Sequence, residues 1–200
     1  MKKAKIILCG IISLIIFGLL IPQPLQAVLV LIDSPIKDYF AANALALCIA
    51  VGLIQGVCEE CGYYLMFRTL LRKDDSSQTP VLFGLGRSGL ELLYNAVYIF
   101  ASPVSAASCA IMLVSRLFGF GGTMGLTMLD YSAYREKRPH YLILSVLLHA
   151  IMNSTLYAAE IGLIKGFGNF DAWLMIGMSV IVMLLAVLIC KKSQKENIVK

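Results

Sequence analysis

Six apolar segments, each long enough to cross a bilayer, account for most of this chain. They cover about residues 6–31, 39–67, 80–101, 104–130, 141–164 and 171–190. A chain built this way has few options. Hydrocarbon offers no partner for backbone N–H and C=O groups, so spanning segments must satisfy them internally, as helices or closed barrels. Apolar runs of about twenty residues select helices. Composition agrees: 59% of residues are hydrophobic and 14% charged, against roughly half and a quarter in soluble domains. The sequence therefore predicts an all-α, polytopic membrane bundle of about six transmembrane helices, in one domain over residues 1–200. Its short loops predict antiparallel neighbours.

The basic residues fix a topology. Lys2, Lys3 and Lys5 precede the first segment, and Arg68, Arg72 and Lys73 follow the second. Arg135, Lys137 and Arg138 follow the fourth, and Lys191, Lys192, Lys195 and Lys200 follow the sixth. With six spans all of these fall on one side, leaving only Lys37 and Lys165 on the other, so both termini are expected in the cytoplasm of a multi-pass cell-membrane protein. The net charge of +5 reflects this bias and is no signal for nucleic acid. The N-terminal Met-Lys-Lys-Ala-Lys and its apolar run resemble a signal peptide. The following stretch, Pro22 to Ala27, lacks a small-x-small cleavage site, and a retained first helix is expected, kinked or ended at Pro22 and Pro24. The six cysteines show no disulfide-scaffold pattern.

Small residues predict where helices touch. Ala42, Ala46 and Ala50 are spaced by four, as are Gly52 and Gly56, which suits a close helix-packing seam. Four glycines between Gly119 and Gly125 weaken a helix, and the fourth segment is expected to be distorted there.

Against this background the polar residues inside the spans stand out. Glu59 and Glu60 sit in a stretch with no lysine or arginine between Lys37 and Arg68. Intramembrane carboxylates are costly and usually face a bundle interior or a water-filled cavity. At about 1.5 Å per residue the two glutamates lie roughly 12 Å from the cytoplasmic end. Arg87 and Glu91 on the third segment, His149 and Asn153 on the fifth, and Arg116 on the fourth reach the same half of the bilayer. Arg87/Glu91 and His149/Asn153 are each spaced i, i+4, on one helix face. A histidine and an amide opposite paired carboxylates can hold a divalent metal or position a water, with a glutamate as general base. Glu59, Glu91 and His149 are the metal-ligand candidates, and Zn2+ would need three such ligands. The alternative on spacing alone is a structural network in which Arg87 pairs with Glu91, Arg116 pairs with Glu59 or Glu60, and His149 is a satisfied core residue. Cys58 and Cys61 flank the glutamates as Cys-Glu-Glu-Cys, a weak metal or redox signal.

These residues carry a resemblance. Glu59-Glu60-Cys61-Gly62-Tyr63-Tyr64 resembles the first motif of the YhfC-type intramembrane metalloproteases, distant relatives of the CAAX prenyl endopeptidase-like membrane proteases. Phe83 to Glu91 resembles their second motif, Ser115-Arg116-Leu117-Phe118 their third, and His149-Ala150-Ile151-Met152-Asn153 their last, over a core of about residues 50–155. The resemblance implies an intramembrane peptidase acting near the cytoplasmic face. Glu59, Glu60, Glu91, His149, Asn153 and Arg87 would form its site, in a lipid bilayer, on a peptide or membrane-protein substrate. The sequence also departs from the pattern. Tyr63 stands where the family has arginine, Arg87 where the second-motif histidine is expected, Ser115 for a glutamate, and Thr123 near the third-motif histidine.

Arg87 has the largest chemical consequence. A guanidinium has no free lone pair and cannot ligate zinc, and beside the glutamates it is a permanent counter-charge. Three readings follow: a peptidase, metal-dependent or glutamate-type; a catalytically inactive relative that binds a peptide or partner protein; and a six-helix substrate-binding subunit of a transporter.

Overall fold

The computed structural model describes residues 2–74, 76–103, 105–163 and 170–198, the last eight of these as backbone only. The described residues form helices and no strands. These are α1 (Lys2–Ser13), a π-helical stretch (Leu14–Leu20), α2 (Pro22–Leu31), α3 (Pro35–Ala42), α4 (Ala44–Arg68), α5 (Thr79–Ala101), α6 (Ala106–Arg135), α7 (Pro139–Glu160) and α8 (Phe170–Ile198). The all-α membrane bundle is thus confirmed. Among the described residues, five segments are long and apolar enough to cross a membrane: α1 to α2 taken together, α4, α6, α7 and α8. The remaining expected span, the third, is α5, with 23 residues, about 35 Å of helix. Its Arg87, Ser88, Glu91, Asn95 and glycines dilute its apolarity below that of the other five.

Pro22 and Pro24 act as expected, but upstream of themselves. Pro22 opens α2 at its first position, where a missing N–H costs nothing. The turn before it widens into i→i−5 bonding, with Ile21 N–H donating to Ile16 O at 3.0 Å. The second expected span also divides. Ser34 caps a short α3, its hydroxyl accepting from Lys37 N–H at 3.3 Å, and the chain breaks at Asn43 before α4 begins.

The glycine run does not distort α6, which is continuous from Ala106 to Arg135. Its glycines instead admit α8. A Cβ on Gly122 would lie 3.1 Å from Ser179, one on Gly121 2.6 Å from the Met183 sulfur, and one on Gly125 3.3 Å from Ala186. Helix-weakening residues are tolerated here because a neighbouring helix covers them.

Two other close contacts set the bundle. On α4, a Cβ at Gly52 would collide with Ser154 and the Ala150 carbonyl. One at Gly56 would sit 2.8 Å from Val146 O and 3.0 Å from Ala150 N. The α4 seam therefore lies directly on the α7 backbone. On α1, Gly10 abuts the Phe83 carbonyl, and Gly86 of α5 abuts the Ile7 carbonyl. The first helix is thus packed into the core, where Ile6 and Cys9 join Tyr63, Phe67 and Phe83.

Contacts also place the basic segments together. Lys2 and Lys5 pair with Asp74 at 3.0 and 3.6 Å. The Tyr131 and Tyr134 hydroxyls, near the end of α6, donate to Ser76 O and Arg72 O. Ser132 meets Cys190 of α8. The start of α1, the α4–α5 loop, the end of α6 and the end of α8 thus share one end of the bundle. Lys165 and the side chains of Lys191, Lys192, Lys195 and Lys200 lie outside the described residues. Large apolar side chains face outward along the helices, among them Leu45, Leu93, Phe100, Leu117, Ile143 and Leu188, as a lipid-facing surface requires.

Candidate functional site

The α4–α7 seam brings Glu60 against His149. With backbones this close, Glu60 Oε1 contacts His149 Nδ1 in a short hydrogen bond, and Glu60 Oε2 accepts from Ser145 Oγ, one turn earlier on α7, at 3.1 Å. From the other side α5 delivers Arg87, which is wholly buried. Its Nη2 donates to both glutamates at once, to Glu59 Oε2 at 3.1 Å and Glu60 Oε1 at 3.0 Å. Its Nη1 donates to Thr127 Oγ1 of α6 at 3.2 Å, and its carbon lies 4.0 Å from the centre of the Tyr63 ring. Glu59 is held further by the Tyr63 hydroxyl at 2.6 Å and by a short bond from Gln55 Nε2. Four helices thus converge on two carboxylates.

The pairings differ from those read on spacing. Arg87 pairs with Glu59 and Glu60, not with its own neighbour Glu91. Arg116 pairs with neither of the paired glutamates. Glu91 and Arg116 instead border a small void between α5 and α6, with Asn95 and Met175. Asn153 lies one turn beyond His149, and its buried Nδ2 has no hydrogen-bond partner among the described residues. Thr123, near the expected third histidine, bonds Ser88 Oγ at 2.7 Å. Cys58 is half-buried, Cys61 is exposed, and both are free thiols.

Five members of the network escape motif reading: Gln55, Tyr63 as a donor, Thr127, Asp130 and Ser145. Asp130 is fully buried beside Glu60 and Ser145. Helical spacing does contain a signal for three of them. Gln55, Glu59 and Tyr63 form one i, i+4, i+8 stripe, and Ser145, His149 and Asn153 another.

The ligand atoms of Glu59, Glu60 and His149 lie within 4.8 Å of one another, and all three residues are buried. By donor type this trio could hold a metal ion. Glu91, read as a ligand with Glu59 and His149, is not part of it, and Glu60 takes that place. Arg87 decides the fit. One guanidinium nitrogen sits on an oxygen of each glutamate, placing a fixed positive charge against both carboxylates that would have to serve as ligands. His149 Nδ1 is spent on Glu60. While Arg87 holds this position the residues do not fit a resident divalent cation.

A polar cavity of about 890 Å³ reaches toward these carboxylates from the end of the bundle opposite the basic segments. Gln55 is the link, since it lines the cavity and also bonds Glu59. Gln26 of α2 closes over it, donating to Gln55 Oε1 at 2.9 Å, while Gln55 Nε2 also reaches the Gly18 carbonyl at 2.9 Å.

Comparison with known proteins gives the family. The sequence model of the YhfC intramembrane metalloprotease family matches residues 1–104, just over half of the 200 residues. The chain is similar to the uncharacterized membrane protein YhfC of Bacillus subtilis (strain 168), at 24% identity over 147 residues. The match takes in 56% of this chain and 57% of that protein, so the chain spans less than two thirds of that relative's length. No solved structure matches. The matched stretch holds the paired glutamates of α4 and the arginine of α5, while Thr127, Asp130, Ser145 and His149 come from beyond it. On the extent of that match, the chain belongs to the YhfC intramembrane metalloprotease family.

Proposed function

We propose that this chain is a metal-independent family member that recognises a peptide, free or part of a membrane protein, without hydrolysing it. One observation carries the reading: a single Arg87 nitrogen bridges Glu59 and Glu60. A general base needs a lone pair turned toward the water it deprotonates. Glu60 is fully buried and spends its oxygens on Arg87, His149 and Ser145. Glu59 spends its own on Gln55, Tyr63 and Arg87. The cluster is a neutralised, hydrogen-bonded floor beneath the polar cavity, not an exposed acid–base pair, and zinc has no place in it.

The protein resides in the cell membrane, surrounded by lipid, with both termini cytoplasmic. The grouping of the basic segments at one end supports that orientation. The cavity then faces the opposite side, so the partner is met from there and not from the cytoplasmic face. A second reading, a glutamate-type peptidase, is favoured by one feature: Glu59 lies a single hydrogen bond below the cavity, through Gln55.

Metal content of the detergent-purified protein, beside an Arg87→His variant, tests the proposal. The expected result is no stoichiometric zinc in the wild type and a gain of metal in the variant. Stoichiometric zinc in the wild type would overturn it. Cleavage of a membrane-protein substrate that is lost in Glu59→Gln would instead establish the peptidase.

A further inference from the structure

The cavity above the carboxylates has an internal polarity. Two donors that make no hydrogen bond or ion pair with a described residue line it at depth. Arg116 is ten residues into α6 and half-buried. It forms no ion pair or hydrogen bond with a described residue, although Glu91 borders it on the far side. The Asn153 side chain lines the cavity as well, and its buried Nδ2 has no hydrogen-bond partner among the described residues. Two carboxylates line the same cavity at its outer end: Glu160, the last residue of α7, and Asp171, the second residue of α8. Both are exposed. A cation and an amide donor at depth, with two anions at the rim, match a ligand that carries a negative and a positive end.

The spacing gives the ligand a length. Asn153 and Glu160 are seven residues apart on one helix, about 10 Å at 1.5 Å per residue. An extended peptide covers about 3.3–3.6 Å per residue, so the two ends are bridged by roughly three residues. A single amino acid, with its ammonium and carboxylate on the same carbon, is too short to touch both. Gln26 also lines the cavity, and its Oε1, which makes no hydrogen bond to a described residue, can accept from a backbone N–H of such a peptide. The volume of about 890 Å³ falls within the range of small-ligand cavities.

We infer that this cavity binds short zwitterionic peptides of about three residues, the free C-terminal carboxylate on Arg116 and Asn153 and the N-terminal ammonium on Glu160 and Asp171. The assignment rests on the peptide-recognising reading above and narrows it to peptides with free ends. Such a site takes the products of proteolysis or small peptides from the medium, and it excludes the interior of an intact membrane helix.

The probe is trialanine, with its C-terminal amide, its N-acetyl form and single alanine as comparisons. Binding is measured by calorimetry on the full chain in nanodiscs. The expected result is saturable binding of trialanine, at least tenfold weaker binding of the amide and of the N-acetyl form, and no binding of alanine. Arg116→Gln should weaken trialanine at least tenfold while leaving the amide unchanged. Glu160→Gln with Asp171→Asn should do the same for the free over the acetylated amine. The wild-type comparison needs no variant, so a misfolded Arg116→Gln leaves the test intact. Equal affinity for trialanine and its amide, equal affinity for alanine, or no binding of any of the four would overturn the assignment. Zinc in the wild-type protein would defeat the metal-independent reading and leave these affinities unaltered, so the two failures are distinguishable.

Discussion

Replacing Arg87 with methionine removes the charge and keeps most of the volume. The guanidinium makes two charge-assisted bonds, to Glu59 and Glu60, worth about 1.5–3 kcal/mol each. The desolvated stacking on Tyr63 adds about 2 kcal/mol. Arg87's own desolvation offsets part of that sum. What remains is the penalty for leaving buried carboxylates without their counter-charge, about 3–5 kcal/mol when one partner of a buried pair is removed. Arg87→Met should therefore lose about 3–5 kcal/mol, measured by reversible denaturant titration in mixed micelles. The cycle with Glu60→Gln sharpens the test. Glutamine needs no counter-charge, so the double variant should be more stable than the sum of the singles predicts, by about 1–3 kcal/mol. Arg87→Lys should fall between wild type and methionine, because an ammonium keeps the charge and loses the planar fork. A loss under about 1 kcal/mol, well below the buried-pair range, together with strict additivity with Glu60→Gln, would refute the claim that Arg87 neutralises the carboxylates.

Other expectations follow from single contacts. Tyr63→Phe removes the hydroxyl that Glu59 accepts at 2.6 Å and should cost about 1.5–3 kcal/mol in the same titration; no change would mean that Gln55 and Arg87 already satisfy Glu59. Gly56→Val should push α4 off the α7 backbone, which a Cβ would meet at 2.8 Å, at a cost of about 1–3 kcal/mol. Gly89→Ala has nothing within 4 Å and should gain up to about 1 kcal/mol, so equal effects at the two sites would contradict the packing. The hydrogen bond from Lys2, with the Lys5 charge beside it, holds the Asp74 carboxyl below its usual range. Its contribution to stability is present above the ordinary carboxylate value near 3.8 and is lost as pH falls through the lower, folded value. Asp74→Asn should therefore be less stable than wild type at neutral pH and equal to it in strong acid; a gap that stays constant with pH would contradict the clasp.

Much of this was legible in the sequence, because the bilayer allows so few solutions. Apolar length identified the spans, and the spacing of Gly52 and Gly56 identified the α4 seam, later found on α7. The motifs supplied Glu59, Glu60, Arg87 and His149, which the fold brings together. Spacing failed where it had to choose partners. Arg87 and Glu91 share a face on α5, but Arg87 reaches across to α4 because that is where the close helix lies. Register between helices is set by backbone contacts such as Gly10 on Phe83, and no periodicity within one helix encodes it. The glycine run of α6 misled for the same reason, since its weakness as a helix is offset by α8, which is distant in sequence and silent in local propensity. Asp130 was hidden by position, at what read as the end of a span.

The salt-bridged cluster also bears on how the chain enters the membrane. A charged side chain near the middle of a lone spanning helix costs about 2.5–3.5 kcal/mol on insertion scales. Helix α4 carries two such groups and emerges from the ribosome before α5, which brings the guanidinium that offsets them. Ten residues, 69–78, separate the two helices, enough for a hairpin. The pair is therefore best inserted as one unit, α4 waiting at the translocon until Arg87 arrives. Seen this way, the arginine that neutralises Glu59 and Glu60 in the folded bundle also serves as their insertion partner.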